Sequence, residues 1–322
     1  ISLFDNYDQL KIHLLKIYNK IGRDNFASSA QYALEKLTIT SIKILKKKYP
    51  FSNIGLAGGV FANVRLNQKI SEIDGINDIF IFPPMGDEGL VIGYVLDYLL
   101  KKNGIEFFLK QRRELNSVSW GEECKNDTFK IPKGVTIYKN NNIVSETAKL
   151  LLKSKVCAIF EGRMEYGPRA LGNRSIMINP SNKKINDVVN KRLGRTEFMP
   201  FAPYVLSVDA ESVFEVNKCN KNALKFMTIT TNVKKKWRKK IQATVHVDYT
   251  ARPQIIKRSE NKLYYDILKE FKKLSGIPCL VNTSFNAHEE PIINKISEAF
   301  EALKKDRIDF LITSNKIFKK KL

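Results

Sequence analysis

Short apolar runs alternate with longer stretches of helical spacing along this chain, and that alternation excludes most fold classes. From Phe26 to Lys48 the spacing of Phe26, Ala30, Ala33, Leu37 and Ile44 predicts a helix with one apolar face, interrupted only where Thr40 and Ser41 fall on the stripe. The run NIGLAGG predicts a strand, followed by a helix from about Phe61, a strand at DIFIFPP and a helix from Asp87 to Lys101. Residues 111–133 mix charge, Asn, Gly and Pro without periodicity and read as a linker or surface excursion. Beyond them, strands are expected at VTIYK, VCAIF, SIMINP, FAPYVLS, FMTIT and CLVNT, with helices near 143–153, 183–193, 260–275 and 295–305. The class is α/β, with ligands at the loops that follow strands. The length of 322 residues allows two domains, divided here as 1–110 and 111–322.

One loop stands out chemically. FEGRMEYGPRALGNRS follows the apolar run VCAIF and holds Arg163, Arg169 and Arg174. Gly162, Gly167, Pro168 and Gly172 break helical spacing, so the segment reads as a strand running into a tight loop that carries the arginines. Glycines admit a ligand close to the backbone, and guanidinium forks match phosphate and carboxylate oxygens. The local reading is an anion site. Three further segments, RTEFMPFAP, HVDYTARPQ and NTSFN, add Arg195, His246, Asp248, Arg252, Asn282, Ser284 and Asn286, a set suited to several anionic oxygens held together. His246 taken alone reads as a structural histidine hydrogen-bonded inside the HVDYT turn. Neither GxGxxG nor GxxxxGK[ST] occurs, so a nucleotide must be held in another way.

Charge and cysteines remove other classes. Lys and Arg number 55 against 33 Asp and Glu, a formal charge of +22, yet the lysines are spread along the chain and only KKKWRKK (234–240) and the tail KIFKKKL are dense. Without a nucleic-acid reading module this balance does not point to nucleic acid as the main partner. Cys124, Cys157, Cys219 and Cys279 form no CxxC pair, which argues against a zinc site or a disulfide framework. The longest apolar segment, GLVIGYVLDYLL, contains Asp97 and is too short for a bilayer, so a soluble cytoplasmic protein without a membrane partner is expected. The chain opens on Ile1 rather than Met, consistent with removal of something upstream.

The ordered segments LAGGVFANVRLN, PPMGDEGLVIG, FEGRMEYGPRALGNRS, RTEFMPFAP, HVDYTARPQ and IPCLVNTSFNAHEEPI resemble the O-carbamoyltransferases of nodulation-factor and antibiotic biosynthesis over residues 30–315. The resemblance implies a partial actin-like domain followed by a YrdC-like α/β domain with a mixed twisted sheet. It implies that carbamoyl phosphate and ATP give carbamoyl adenylate, with pyrophosphate and phosphate released, before the carbamoyl group passes to a hydroxyl of a small-molecule or sugar acceptor. Arg169, Arg174, Arg195, Ser284 and Asn286 match the family's anion and nucleotide positions, and Gly58, Gly59 and Asn63 its adenylate-binding turn. Asp248 and Arg252 are placed with the reacting groups, and Arg163, His246 and Asn282 with those that hold the nucleotide.

Three departures accompany the likeness. Many relatives have Lys and Arg where this chain has Leu193 and Met199, and the turn usually written HVDGTAR has Tyr249 in place of its glycine, unfavourable if φ is positive there. The family's HxxH pair, which with an aspartate of the GD motif binds a divalent metal such as iron, is absent: the histidines are His13, His246 and His288, leaving Asp87 as a ligand without its partners or as a plain helix-start carboxylate. A chain lacking its N-terminal half, with an incomplete metal site, is therefore expected. The alternatives are a threonylcarbamoyl-adenylate enzyme serving tRNA and a non-catalytic anion-binding protein of the same fold.

Overall fold

The computed structural model describes residues 6–111, 114–123, 130–195 and 201–321; Cys124 and Met199 lie outside the described residues. The first region runs α1 (Tyr7–Ile21), α2 (Arg23–Lys48), β1 (Asn53–Leu56), α3 (Val64–Ser71), β2 (Asp78–Ile81) and α4 (Leu90–Lys110), with β1 and β2 paired in parallel. Helix α1, which the sequence reading did not anticipate, starts at an Asn6 cap whose side chain accepts from Gln9 N at 2.9 Å. The second region adds β3 (Val135–Lys139), α5 (Ile143–Leu152), β4 (Cys157–Phe160), β5 (Arg174–Ile178), α6 (Ile185–Arg192), β6 (Ala202–Leu206), α7 (Ala210–Val213), β7 (Thr231–Asn232) and α8 (Lys235–Arg238). It closes with β8 (Thr250–Ala251), β9 (Gln254–Ile256), α9 (Lys262–Ser275), β10 (Cys279–Ser284), α10 (Ile296–Lys304), β11 (Phe310–Ile312) and β12 (Ile317–Lys320).

Eight of these strands form one sheet in the order β3-β12-β11-β4-β5-β10-β6-β9. Pairs β4–β11 and β6–β9 are parallel and the others antiparallel, so the expected mixed α/β sheet is present. Strands β4, β5 and β6 are buried at every position, which is why their sequences read as unbroken apolar runs. Two cores flank them. Leu151, Tyr264, Ile267 and Phe271 of α5 and α9 pack on one side, while Val189, Phe300 and Leu303 of α6 and α10 belong to the other.

A third core joins the two regions. Leu66, Ile70, Ile79 and Ile81 pack in one cluster with Val213, Phe214, Leu224, Ile229 and Ile241. Polar contacts cross the same seam: Asn67 Nδ2 donates to Thr228 O at 2.7 Å, and Thr230 Oγ1 donates to Gln68 Oε1 at 2.7 Å. These contacts explain why FMTIT is not the expected strand. Residues 223–226 form a short 3₁₀ turn, Met227 takes φ 55°, and Thr230 N donates to Val64 O at 3.2 Å instead of to a neighbouring strand. The KKKWRKK segment is anchored by Trp237, whose Nε1 donates to Ser212 O at 3.0 Å, leaving its lysines exposed. Among the described residues no helix is long and apolar enough to cross a membrane.

Candidate active site

The arginine-bearing loop leaves β4 at Phe160 and returns at Arg174, the first residue of β5. A carboxylate that the sequence reading overlooked organises it. Glu165, 4% exposed, accepts from the backbone N–H groups of Leu171 and Asn173 at 2.7 Å each and of Arg174 at 3.4 Å. Burial pushes its pKa above the usual carboxylate range, against the pull of those N–H groups. From outside the loop, Asn282 donates to Ala170 O at 3.0 Å and to Gln254 Oε1 at 3.0 Å, and Gln254 donates to Leu171 O at 2.7 Å. The loop is pinned at both peptide faces. Gly167, at φ 117°, has no room for a side chain, since a Cβ would meet Pro84 Cα at 3.2 Å; this brings the loop against PPMGDEG. Tyr166 completes that contact, its hydroxyl donating to Glu88 O while its ring stacks on Trp120.

The three arginines of the loop have three fates. Arg163 is exposed, donating to Gly121 O at 3.2 Å and pairing with Glu123 at 3.7 Å. Arg174 is 1% exposed; its guanidinium lies 3.8 Å from the Phe160 ring centroid and donates to Glu161 O, Asn173 O and Gly162 O at 2.8, 3.0 and 3.2 Å. It closes the base of the loop. Arg169 reaches across to the first region, with Nη2 3.5 Å from Ala62 O and its buried Nε without a partner among the described residues. Burial lowers its pKa.

Arg169 meets the HVDYTARPQ segment there. Arg252 has no hydrogen bond or ion pair among the described residues; burial, then repulsion from Arg169, pushes its pKa down to about 9. Two partly buried guanidinium groups thus lie near each other, and neither is paired with a carboxylate among the described residues. In the adjoining turn Asp248 Oδ1 accepts from Thr250 N at 3.0 Å and from Thr250 Oγ1 at 2.7 Å, and His246 Nδ1 lies 3.0 Å from the same hydroxyl. Burial opposes ionisation of Asp248, but the Thr250 bonds and Arg65, 3.5 Å away, hold its pKa below the usual value. Tyr249 does take the positive φ that its substitution for glycine made costly, 63°, with the Arg238 guanidinium 4.3 Å from its ring centroid.

On the side of the first region, Gly58 at φ 107° and Gly59 open the turn before α3. They line a cavity of about 450 Å³ together with Phe82, Gly86 and Asp87. Asn63 has a structural task, accepting from Leu66 N at 3.0 Å as the cap of α3 and donating to Gln31 Oε1 at 2.8 Å. Asp87 is exposed, and the neighbouring Glu88 carboxylate accepts from Gly86 N at 3.2 Å. No group of three or more His, Cys, Asp or Glu able to hold a metal ion occurs among the described residues, so the side chains around Asp87 do not fit a bound divalent ion.

NTSFN forms a separate cluster at the end of β10. Ser284 Oγ donates to Asn286 Oδ1 at 2.6 Å, Asn286 Nδ2 donates to Glu290 O at 2.6 Å, and Arg195 reaches Thr283 Oγ1 at 3.1 Å and Ser284 Oγ at 3.5 Å. Burial lowers the Arg195 pKa. Leu193 is buried in the core, and neighbouring Arg192 is paired with Asp309 at 2.9 Å. Asn286 also lines a cavity of about 480 Å³ with Phe285 and Glu290. The structure thus gathers Arg169, Arg252, His246 and Asp248 at the seam between regions, and Arg195, Ser284 and Asn286 at a second place. It assigns Arg174, Asn282 and Asn63 to holding backbone. Sequence reasoning missed Glu165, Thr250, Arg65 and Gln254, although each lies inside a segment already singled out.

Comparison with known proteins supplies the family. Residues 2–96 match the family model "Carbamoyltransferase N-terminus" and residues 148–320 match "Carbamoyltransferase C-terminus". Both the N-terminal and the C-terminal family models are thus represented in this chain. Nodulation protein NolNO of Sinorhizobium fredii is 33% identical over 307 residues, covering 92% of this chain and 44% of the relative. NolO of Bradyrhizobium diazoefficiens is 33% identical over 305 residues, covering 92% and 54%. An uncharacterized protein of Methanocaldococcus jannaschii, MJ1058, is 33% identical over 322 residues, covering 97% and 52%. The chain spans about half the length of these relatives. The crystal structure of full-length HypF in the phosphate- and nucleotide-bound form overlaps 58% of this chain and 23% of its own, at 18% identity and a TM-score of 0.40. Two family models in order, and relatives at one-third identity over nine-tenths of the sequence, show that this chain belongs to the carbamoyltransferase family.

Proposed function

We propose that this protein makes carbamoyl adenylate from carbamoyl phosphate and ATP and transfers the carbamoyl group to a hydroxyl of a sugar or secondary metabolite. In this reading residues 1–110 contribute an actin-like transfer half and residues 111–322 a YrdC-like half. Water releases phosphate from carbamoyl phosphate, and a carbamate oxygen attacks the α-phosphorus of ATP with loss of pyrophosphate. The acceptor oxygen then attacks the carbamoyl carbon and AMP leaves. Every species before the last step is anionic. Positioning and charge neutralisation are what a protein contributes most to such chemistry.

The observation that carries the proposal is the Arg169–Arg252 pair, two partly buried cations near each other and without a carboxylate partner among the described residues. Like charges left in that state are stabilised by a bound anion. Arg195 with Ser284 and Asn286 offers a second set of donors for the adenylation step, and Gly58 and Gly59 a turn that can admit the adenylate. Calorimetric titration with carbamoyl phosphate tests the pair. Arg252→Met and Arg169→Met should each weaken binding by about 1.5–3 kcal/mol, roughly 10- to 150-fold, as expected for a hydrogen bond to a charged group. Unchanged affinity in both variants would remove the assignment.

A further inference from the structure

We infer that residues 114–123 form a strap that positions Arg169, with the Trp120 ring stacked on Tyr166 as its clasp. The inference rests on the reading of Arg169 as an anion-binding residue, and on no acceptor or transfer step. Composition reads this stretch as a linker or surface excursion, and the chain does pass through it from α4 to β3. It is also paired with the arginine loop. Tyr166 N donates to Val118 O at 2.7 Å, Gly121 N to Met164 O at 3.0 Å and Met164 N to Glu122 O at 3.4 Å, an antiparallel run that ends on the bridge between Glu123 and Arg163. The loop's backbone N–H groups there find their partners in the strap.

The strap is itself fixed. Val118 is 1% exposed, Lys225 Nζ donates to Glu114 at 2.5 Å, and Asn173 Nδ2 donates to Ser119 Oγ at 2.9 Å. Gly121 lies so close to the loop that a Cβ would meet Met164 Cβ at 2.9 Å. The ring centroids of Trp120 and Tyr166 are 5.7 Å apart with the planes inclined by 29°, and the Tyr166 hydroxyl donates to Glu88 O. Tyr166 is thus held from two sides, by the residue chain leading into α4 and by the strap that follows it.

Arg169 depends on this because its own contacts do not fix it. Its printed reach to Ala62 O is 3.5 Å, at the limit of a hydrogen bond, and its Nε has no partner among the described residues. Its place is therefore set by the loop on either side. Residues 170–174 are pinned by Glu165, Asn282 and Gln254, whereas residues 163–166 take their partners from the strap. A cation misplaced by a fraction of its reach loses much of its grip on an anion, so residues outside the anion site set its affinity. Trp120 and Tyr166 act as positioning residues.

Calorimetric titration of the full chain with inorganic phosphate tests this, each variant being held well below its own unfolding temperature. Trp120→Ala should weaken phosphate binding by about 3- to 10-fold, the range an aromatic stack can supply, and Trp120→Phe, which keeps a ring in place, should stay within about 2-fold of the wild type. Gly121→Ala should weaken binding by a similar factor to Trp120→Ala, because its methyl group lifts the strap from Met164 while both rings and Arg169 stay intact. Each titration reads folded protein alone, so a ring that only adds stability would leave the affinity unmoved. Wild-type affinity in both Trp120→Ala and Gly121→Ala, or no recovery in Trp120→Phe, overturns the inference. A wild type that binds no phosphate, or Arg169→Met that binds it as tightly as the wild type, overturns instead the reading of Arg169 on which it rests.

Discussion

Replacing Glu165 by alanine tests whether one carboxylate shapes the arginine loop. The side chain is buried and its Oε1 accepts two backbone N–H groups at 2.7 Å and a third at 3.4 Å. A buried N–H left without a partner costs about 1–3 kcal/mol, so the two short bonds alone set an expected loss of about 2–6 kcal/mol in Glu165→Ala. With a urea slope of about 2 kcal/mol per molar, the midpoint falls by about 1–3 M. Glu165→Gln keeps an oxygen acceptor in the same place and should restore most of the loss. The pH dependence has a definite sign. The folded-state pKa is raised above 4.5, so ionisation of Glu165 opposes folding; stability falls as pH rises from the usual carboxylate value toward the raised one, a slope that Glu165→Gln lacks. Urea titrations of the three proteins across acid pH measure both effects. A loss below about 1 kcal/mol in Glu165→Ala, or equal damage from both variants, would refute the acceptor argument.

Tyr249→Gly should be nearly neutral, because relief of about 1 kcal/mol of positive-φ strain offsets a similar loss of cation–π contact with Arg238, whereas Tyr249→Val should destabilise by at least about 1 kcal/mol; thermal unfolding separates them. Arg174→Met keeps the apolar packing on Phe160 but takes the guanidinium donor from Glu161 O, Gly162 O and Asn173 O, the last of which keeps Glu161 N–H, so calorimetric stability should drop by about 2–4 kcal/mol. Metal analysis of the purified chain should show no stoichiometric iron or other transition metal held by Asp87, and Asp87→Ala should leave the metal content unchanged. Stoichiometric metal lost in that variant would show a complete site.

Much of the second region was legible because its strands are buried on both faces, as CAIF and APYVL show, and because its helices carry single apolar stripes. FMTIT misled for a tertiary reason. Its alternating apolar residues are buried, but Met227 turns the chain and Thr230 answers Val64 rather than a strand, a contact no local pattern encodes. The arginine segment announced an anion site, yet spacing could not say which guanidinium faces it: Arg174 lies against Phe160, Arg163 against Glu123, and only Arg169 crosses to Ala62. Thr250 went unnoticed because its role appears only when the Asp248 and His246 contacts converge on one hydroxyl. Tyr249 was read correctly as the awkward residue of its turn, since glycine's freedom at positive φ is a local property.

If the proposed reaction holds, Arg169 and Arg252, neither in an ion pair among the described residues, also bear on the order in which its products depart. Arg252 is held below its usual basicity by burial and by Arg169, so a bound anion would relieve the repulsion between the two cations. A carbamoylated alcohol is neutral at the new bond and gives those cations nothing to hold. Phosphate, AMP and pyrophosphate all resemble what the cleft lacks. On the proposed reaction the carbamate ester is expected to leave before AMP, and inorganic phosphate to compete with carbamoyl phosphate for the same two guanidinium groups, slowing turnover and raising the temperature at which the protein unfolds.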